Sequence, residues 1–170
     1  MTEGKDTFLD DVDGGCITVS GRVTVNGVTS HRIIEAVRAT LQGRAVRALN
    51  IAFVDDETIT SINQRYLNKA KFTDVLSFDL RDDKDDEAID GEVVVSCQRA
   101  CAQAKDLGVD VDEELLRYVI HGTLHLMGYE DGTKADSRRM RLAEDEVLAG
   151  LGPGRAGKGK SSGRREDIGR

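Results

Sequence analysis

The chain has 170 residues, of which 39% are hydrophobic and 32% are charged, and its net charge at pH 7 is −7. This length predicts one domain with a hydrophobic core of its own. An apolar run of about 18 residues is missing, which argues against a membrane span, and the negative charge argues against indiscriminate binding to nucleic acid.

The two ends of the sequence differ from its middle. Residues 1–15 are acidic and are expected to be disordered, and they lack the basic and apolar regions of a secretory signal, which favours a cytoplasmic protein. Residues 152–170 are rich in glycine and contain six Lys or Arg against two Asp or Glu, so we expect a basic, disordered tail. The functional domain is therefore expected to span residues 16–151.

Four strands are predicted in the first hundred residues, from alternating or continuous apolar residues. Asn26-Gly27 marks a turn after the first of them, and an acidic loop separates the last two, which are expected to pair. The predicted strands cover residues 16–25, 44–54, 74–80 and 91–96.

Five helices are predicted from apolar residues at three- and four-residue spacing. Four of them follow residues that can cap a first turn, and Gly108 can end the remaining one, at residues 97–107. The caps are Thr29 or Ser30, Asp55 or Asp56, Asp110, and Thr133. The order of elements predicts a single α+β domain, with helices packed on a mixed β-sheet and a metal site at the end of a central helix.

Two histidines lie four residues apart in the helix that follows Asp110. Residues at this spacing share one helix face, so His121 and His125 can bind one metal ion. Gly128 can end the helix in the left-handed conformation, and the returning chain would bring Asp131 to the ion as third ligand. Three protein ligands leave a fourth tetrahedral position open, as in catalytic zinc sites. The sequence therefore predicts a catalytic centre for one ion.

Two segments resemble the YbeY family of metal-dependent endoribonucleases. HGTLHLMGYED is similar to the family signature HGxLHLxGYDH, with Glu130 and Asp131 in place of its last Asp and His. INQRYLNKAKFTDVLSFDL is similar to the family's LNxxYRxxxxPTDVLSF segment. Since Asp131 is a harder ligand than histidine, another divalent transition metal can replace Zn²⁺.

The resemblance covers roughly residues 49–148 and implies the same α+β fold. It implies hydrolysis of single-stranded RNA with one Zn²⁺, in maturation of the 3′ end of small-subunit rRNA and in ribosome quality control. The implied partners are rRNA and the small ribosomal subunit or its proteins, without a membrane. As a hypothesis, the ion polarises a phosphate oxygen and lowers the pKa of its bound water toward about 7.

Other catalytic residues are harder to assign. The family's substrate-site arginine would fall on Leu67, so that role does not carry over. A phosphodiester transition state gathers negative charge that a nearby cation stabilises, and Arg65, Lys69 and Lys71 are close in sequence; Lys69 is the candidate for part of that role. Glu92 stands where the family has an Asp at the start of a strand, and it is a candidate base or a residue that orients the metal's water.

Two alternative functions remain open at this point. A metzincin-like metallopeptidase with an acidic third ligand would share the ligand spacing, but Gly122 occupies the position at which HExxH peptidases have their general base. The second alternative is a non-catalytic ribosome assembly factor in which the metal is structural.

Overall fold

The computed structural model describes residues 7–12, 14–21, 28–68 and 73–153. In these residues, five strands form one sheet, and five helices accompany it. The elements are β1 (Phe8–Val12), β2 (Gly15–Gly21), α1 (Ser30–Leu41), β3 (Val46–Val54), α2 (Asp56–Leu67), β4 (Val75–Asp79), β5 (Ile89–Ser96), α3 (Cys97–Leu107), α4 (Val111–Leu126) and α5 (Lys134–Leu151). The predicted α+β class is confirmed. The Asn26-Gly27 turn and the tail beyond residue 153 lie outside the described residues.

The sheet is mixed, with strand order β1-β2-β3-β5-β4. Its three inner strands are parallel, and β1 and β4 run antiparallel to them at the two edges. α1 makes the crossover that two neighbouring parallel strands require, from β2 to β3. The edge strand β4 lies beneath the helix that contains the histidine pair, since α4 packs on β4 and β5.

Strand β1 corrects part of the expectation that residues 1–15 are disordered, namely the part that concerns residues 8–12. Phe8–Val12 pairs antiparallel with β2, and Val12 is opposite Gly15 in the register. Gly14 has φ +87°, a backbone conformation that glycine adopts easily. The Asp-Gly pair between the two strands is a strong hairpin signal. The acidic composition of the segment concealed this signal.

Side chains on the two faces of the sheet have different partners. The main core lies between one face and helices α1, α4 and α5, and it includes Ile51 and Val93 of the sheet with Val119 and Ile120 of α4. Of the described helices, α2 alone covers the other face, over a small cluster around Ile59. Within the described ranges, no helix combines the length and the apolar character needed to cross a membrane.

Three of the predicted helix caps are confirmed. The side chains of Thr29, Asp55 and Thr133 each accept a hydrogen bond from a backbone N–H in the first turn of α1, α2 and α5. Asp110 precedes α4 as predicted, but its side chain makes no capping hydrogen bond within the described residues. Burial of Leu115 and Leu116, more than this cap, therefore stabilises the first turns of α4.

Candidate metal centre

Gly122 allows α4 to approach the sheet closely. A Cβ atom at this position would lie 2.4 Å from Val93 Cγ1 and 3.0 Å from Val75 Cγ2. Ser77 on β4 donates its hydroxyl to the Gly122 carbonyl at 2.9 Å, which ties the helix to the edge strand. These contacts fix the height of α4 above the sheet and with it the position of the adjacent His121.

α4 ends in a Schellman turn at Gly128. The Gly128 N–H donates to the His125 carbonyl and the Tyr129 N–H donates to the Leu124 carbonyl, both at 3.0 Å. Gly128 has φ +93°, where residues with a Cβ are strained. The chain turns back as the sequence predicts and places Asp131 beside the end of the helix.

The three side chains predicted as metal ligands come together at this end of α4. The Nε2 atoms of His121 and His125 are 3.0 Å apart, and Asp131 Oδ2 lies 3.5 and 3.6 Å from them. Metal–ligand bonds of about 2.0–2.2 Å in a tetrahedron separate the ligand atoms by about 3.3–3.6 Å. Both distances to Asp131 fall in this range and the two Nε2 atoms are somewhat closer, so the three atoms are near enough to one another to hold one divalent ion.

The hydrogen bonds of the two rings leave both Nε2 atoms with a lone pair. His121 Nδ1 lies 2.7 Å from Glu144 Oε1, and His125 Nδ1 lies 2.9 Å from the Tyr129 carbonyl oxygen. Because both partners only accept, each Nδ1 is assigned the ring proton. Two nitrogen lone pairs and the Asp131 carboxylate thus face one another without a donor among them. A cation between these three acceptors removes their repulsion.

Burial and neighbouring charge keep these groups in the states that bind metal. Burial lowers the pKa of His125 below its ordinary value of 6.5, because a second proton on a ring beside His121 is poorly solvated and repelled, and these effects outweigh the attraction of Asp131 and Glu144 and the hydrogen bond to Tyr129. Burial alone would raise the pKa of Glu144, but its contacts with His121 and Arg117 outweigh burial and leave that pKa below 4.5. At neutral pH the His125 ring is therefore neutral, so it can bind a metal ion through its lone pair. Glu144 is ionised, so it can accept the hydrogen bond that orients the His121 ring.

Comparison with known proteins identifies the family. The model of a family described as Endoribonuclease YbeY matches residues 24–152. The chain belongs to this family. Relatives named Endoribonuclease YbeY include one from Carboxydothermus hydrogenoformans, 41% identical over 133 residues that cover 77% of this chain and 92% of the relative. Another, from Desulfitobacterium hafniense, is 33% identical over 139 residues, with coverage of 77% and 88%.

A solved structure supports the fold. The solution structure of TM1509 from Thermotoga maritima matches with a TM-score of 0.52 and 24% identity, over 79% of this chain and 88% of that chain. At this identity the similarity concerns the fold alone, and it agrees with the α+β architecture expected of the YbeY family.

Sequence reasoning missed two buried charged residues that support the cluster. Glu144 on α5 accepts from His121 through one carboxylate oxygen, and its other oxygen accepts from Arg117 Nη1 at 3.0 Å. Both residues are buried. One signal was available: Glu144 follows the buried Met140 by four residues, so helical spacing places it on the inner side of α5.

Glu92 lies away from the histidine cluster. Its neighbours Gly91 and Val93 face α4, because a Cβ at Gly91 would lie 3.0 Å from a Leu126 methyl group and Val93 contacts Gly122. Side chains alternate along a strand, so Glu92 points to the opposite face, where it accepts a hydrogen bond from Asn50 Nδ2 at 2.9 Å. The sheet separates Glu92 from the cluster, and the structure does not support its expected role as a base or water-orienting group.

Of the residues expected to replace the family arginine, Arg65 is among those that the structure describes. Leu67, at the arginine position of the YbeY motif, is the last residue of α2 and is exposed. Arg65 is exposed one residue before Tyr66 on the same helix end. Lys69 and Lys71 lie outside the described residues, so the role expected of Lys69 stays a prediction.

The position of Gly122 also bears on the metallopeptidase alternative. The Cβ direction of this residue points into the sheet, at Val93, and away from solvent. A glutamate side chain at this position would point into the core, where the close packing of α4 on the sheet leaves no room for the general base of a peptidase. The peptidase alternative therefore has no support, and family membership favours the ribonuclease.

Proposed function

We propose that this member of the YbeY family is a metal-dependent endoribonuclease that hydrolyses single-stranded RNA, with His121, His125 and Asp131 as ligands of one divalent ion and Zn²⁺ as the first candidate. One observation carries the proposal: three acceptor atoms converge within 3.0–3.6 Å while the donor side of each ring is already engaged. Such an arrangement binds a cation and leaves coordination positions open for chemistry.

The residues of the chain prepare the site for phosphodiester hydrolysis. When bound, a divalent ion acts as a Lewis acid on a phosphate oxygen and makes a coordinated water more acidic. Glu144 and the Tyr129 carbonyl hold the two rings in fixed orientations, so the Nε2 lone pairs do not have to reorganise. The Asp131 side chain is 50% exposed, whereas both histidines are largely buried, so the cluster opens to solvent on the side of Asp131.

The end of α2 provides a surface suited to an unpaired base. Tyr66 is 64% exposed. It packs edge-to-face on Phe78 at 5.9 Å between centroids, and the Arg65 guanidinium carbon lies 5.6 Å from the Tyr66 centroid. Aromatic rings and guanidinium planes stack on unpaired bases, whereas the bases of a duplex are paired and already stacked on one another. This surface therefore favours single-stranded over double-stranded RNA.

The edge strand β4 connects this surface with the metal centre. Ser77 of β4 faces α4, and Phe78 faces α2 on the other side of the sheet. Since β4 is the outermost strand at this edge, an RNA strand that crosses the edge can reach both Tyr66 and the cluster. A contact of this kind would strengthen RNA binding without taking part in bond cleavage.

Cleavage assays with histidine variants test the main proposal. The wild-type protein, stripped with a chelator and reloaded with Zn²⁺, should cleave a single-stranded RNA and spare a duplex of the same sequence. His125→Ala should lose both zinc binding and cleavage. His31→Ala is the matched control, because His31 is exposed on α1 and lies 3.5 Å from Glu35, in a different part of the fold. Cleavage by the metal-free protein or by His125→Ala would reject the proposal.

Steady-state kinetics of Tyr66→Ala test the substrate surface. Base–aromatic stacking contributes about 1–3 kcal/mol, so KM for single-stranded RNA should rise about fivefold or more while kcat stays unchanged. Leu142→Ala is a control of matched exposure, since Leu142 on α5 is also 64% exposed. An unchanged KM in Tyr66→Ala would show that RNA takes another path.

We further propose that the RNA is ribosomal, that the 3′ end of the small-subunit rRNA is the target, and that the protein acts in the cytoplasm on the small ribosomal subunit. The support is the resemblance of the HGTLHLMGYED segment and of the segment around TDVLSF to the family motifs. Cleavage of precursor small-subunit particles, compared with free RNA of the same sequence, tests this specificity. Equal cleavage of unrelated single-stranded RNA would argue for a general nuclease.

A further inference from the structure

Glu144 connects the metal centre to a helix that supplies none of the three ligands. It belongs to α5, and its side chain is buried, with 7% of the residue exposed. Its Oε1 accepts from His121 Nδ1 at 2.7 Å and its Oε2 accepts from Arg117 Nη1 at 3.0 Å. Both carboxylate oxygens are thus engaged, which leaves Glu144 little freedom to rotate.

The two histidines are supported in different ways. His125 donates to the Tyr129 carbonyl, a neutral acceptor in the turn that follows its own helix. His121 donates to a carboxylate from a separate helix, 23 positions further along the chain. An anionic partner makes the opposite ring nitrogen more basic than a carbonyl does. His121 is therefore the histidine whose metal-binding strength depends on a distant residue.

Arg117 explains why a carboxylate can be buried at this position. Its guanidinium is also buried and contacts Glu144 and Asp145 through Nη1, at 3.0 and 2.8 Å. A buried carboxylate without such a partner would be strongly destabilising. Arg117 lies one turn before His121 on α4, so the pair fixes Glu144 against the same helix that carries the ligands.

We propose that Glu144 is a positioning residue of the metal centre: it holds the ring proton of His121 on Nδ1, presents Nε2 to the metal ion and strengthens its bond to that ion. The inference rests on the proposed metal-dependent function. An imidazole without such an acceptor exchanges its proton between the two nitrogens, and the form protonated at Nε2 cannot bind an ion there.

Two substitutions separate the charge of Glu144 from its hydrogen bond. Glu144→Gln removes the negative charge and keeps the shape of the side chain, with one oxygen in place of the two that accept from His121 and Arg117. Glu144→Ala removes the charge and both oxygens. Asp145→Asn is the matched control, because it perturbs Arg117 at the neighbouring position without touching His121. Urea denaturation of each full-length variant shows that it is folded.

Zinc affinity is the first measurement, by competition between the full-length protein and a chromophoric chelator. Loss of a carboxylate partner typically weakens metal binding about 10- to 100-fold. We expect about 10-fold for Glu144→Gln and a larger loss for Glu144→Ala, whereas Asp145→Asn should bind Zn²⁺ like the wild type. Wild-type affinity in Glu144→Gln would overturn the proposal, even if Glu144→Ala failed to fold.

The tautomer of His121 in the metal-free protein is the second measurement. Long-range ¹H–¹⁵N spectra should show the Nδ1–H form in the wild type and in the Asp145→Asn control, and a mixture of the two tautomers in Glu144→Ala. A pure Nδ1–H form in folded Glu144→Ala would also overturn the proposal. Failure of the proposed function is distinguishable, since a wild-type protein that binds Zn²⁺ through His121 but leaves RNA intact would reject the nuclease and not the role of Glu144.

Discussion

Gly122→Ala tests whether the close packing of α4 on the sheet determines the position of the metal centre. The new Cβ would lie 2.4 Å from Val93 Cγ1, and Val93 is fully buried and β-branched, so its side chain cannot swing aside. Overpacking of a core costs about 1–3 kcal/mol, and the better helix propensity of alanine offsets about 1 kcal/mol. Because the contact is so short, we expect a net loss of about 1–2 kcal/mol.

Thermal and urea denaturation of the metal-free protein measure this loss. For a chain of this size the melting temperature should fall by about 2–8 °C. Gly150→Ala on α5 is the control, because no described atom lies within 4 Å of its new Cβ, and it should stabilise by up to about 1 kcal/mol. Gly122→Ala should also weaken Zn²⁺ binding, since His121 is the adjacent residue.

Two results would refute this reasoning. If Gly122→Ala were as stable as the wild type, the approach of α4 to the sheet would not be limiting. The second result concerns Val93, the partner of the contact. Val93→Ala should relieve the overlap with the new Cβ, so the double variant should lose less stability than the sum of the losses in the two single variants. Simple additivity would show that Val93 is not the obstacle.

Three further predictions concern charged groups. Arg81→Ala should cost about 1–3 kcal/mol in urea denaturation, because Arg81 joins Asp79 at 2.9 Å to the carbonyl oxygen of Leu126 at 3.2 Å. Arg81 also holds the pKa of Asp79 well below 3.8, so the part of this stabilisation that comes from Asp79 is fully present above pH 3.8 and is lost as the pH falls toward the folded-state pKa. A stability difference between the two proteins that does not shrink in stronger acid would contradict this prediction. In the metal-free protein the pKa of His125 is lowered, so as the pH falls the unfolded chain takes up a proton before the folded protein does. The free energy of unfolding should therefore decrease as the pH drops through 6.5. A pKa of His125 at or above 6.5 in an NMR titration would be inconsistent with its burial. Asp131→His should still bind one ion and should prefer Zn²⁺ over Mn²⁺ more strongly than the wild type in a competition experiment, because imidazole is softer than carboxylate; an unchanged preference would show that Asp131 does not set it.

The predicted ligand cluster was accessible from sequence because its parts are local. His121 and His125 share a helix face by spacing alone, and Gly128 marks where that helix ends. The backbone hydrogen bonds of the turn at Gly128 and Tyr129 then direct the chain back toward the two rings. The main helices and the mixed sheet were predictable for the same reason, since periodicity and end caps are properties of short segments.

Other features depend on contacts that periodicity does not encode. The face of the sheet on which Glu92 lies depends on which residues of β5 pack beneath α4. The hydrogen bond from His121 to Glu144 depends on the packing of α5 against α4. β1 consists of a short acidic segment, and it becomes a strand because β2 offers a free edge next to a tight turn. In each case the tertiary arrangement decided between possibilities that the local sequence left equal.

The Schellman turn at Gly128 has a consequence for the life of the protein in the cell. Because all three proposed ligands lie between His121 and Asp131, assembling them closes only a short piece of chain and costs little entropy. We expect that reversible opening of this piece alone, at the exposed Asp131, would be enough to release or admit an ion while the sheet stays intact. We therefore expect the purified protein to survive repeated stripping and reconstitution, and its metal content to follow the supply of divalent ions around it.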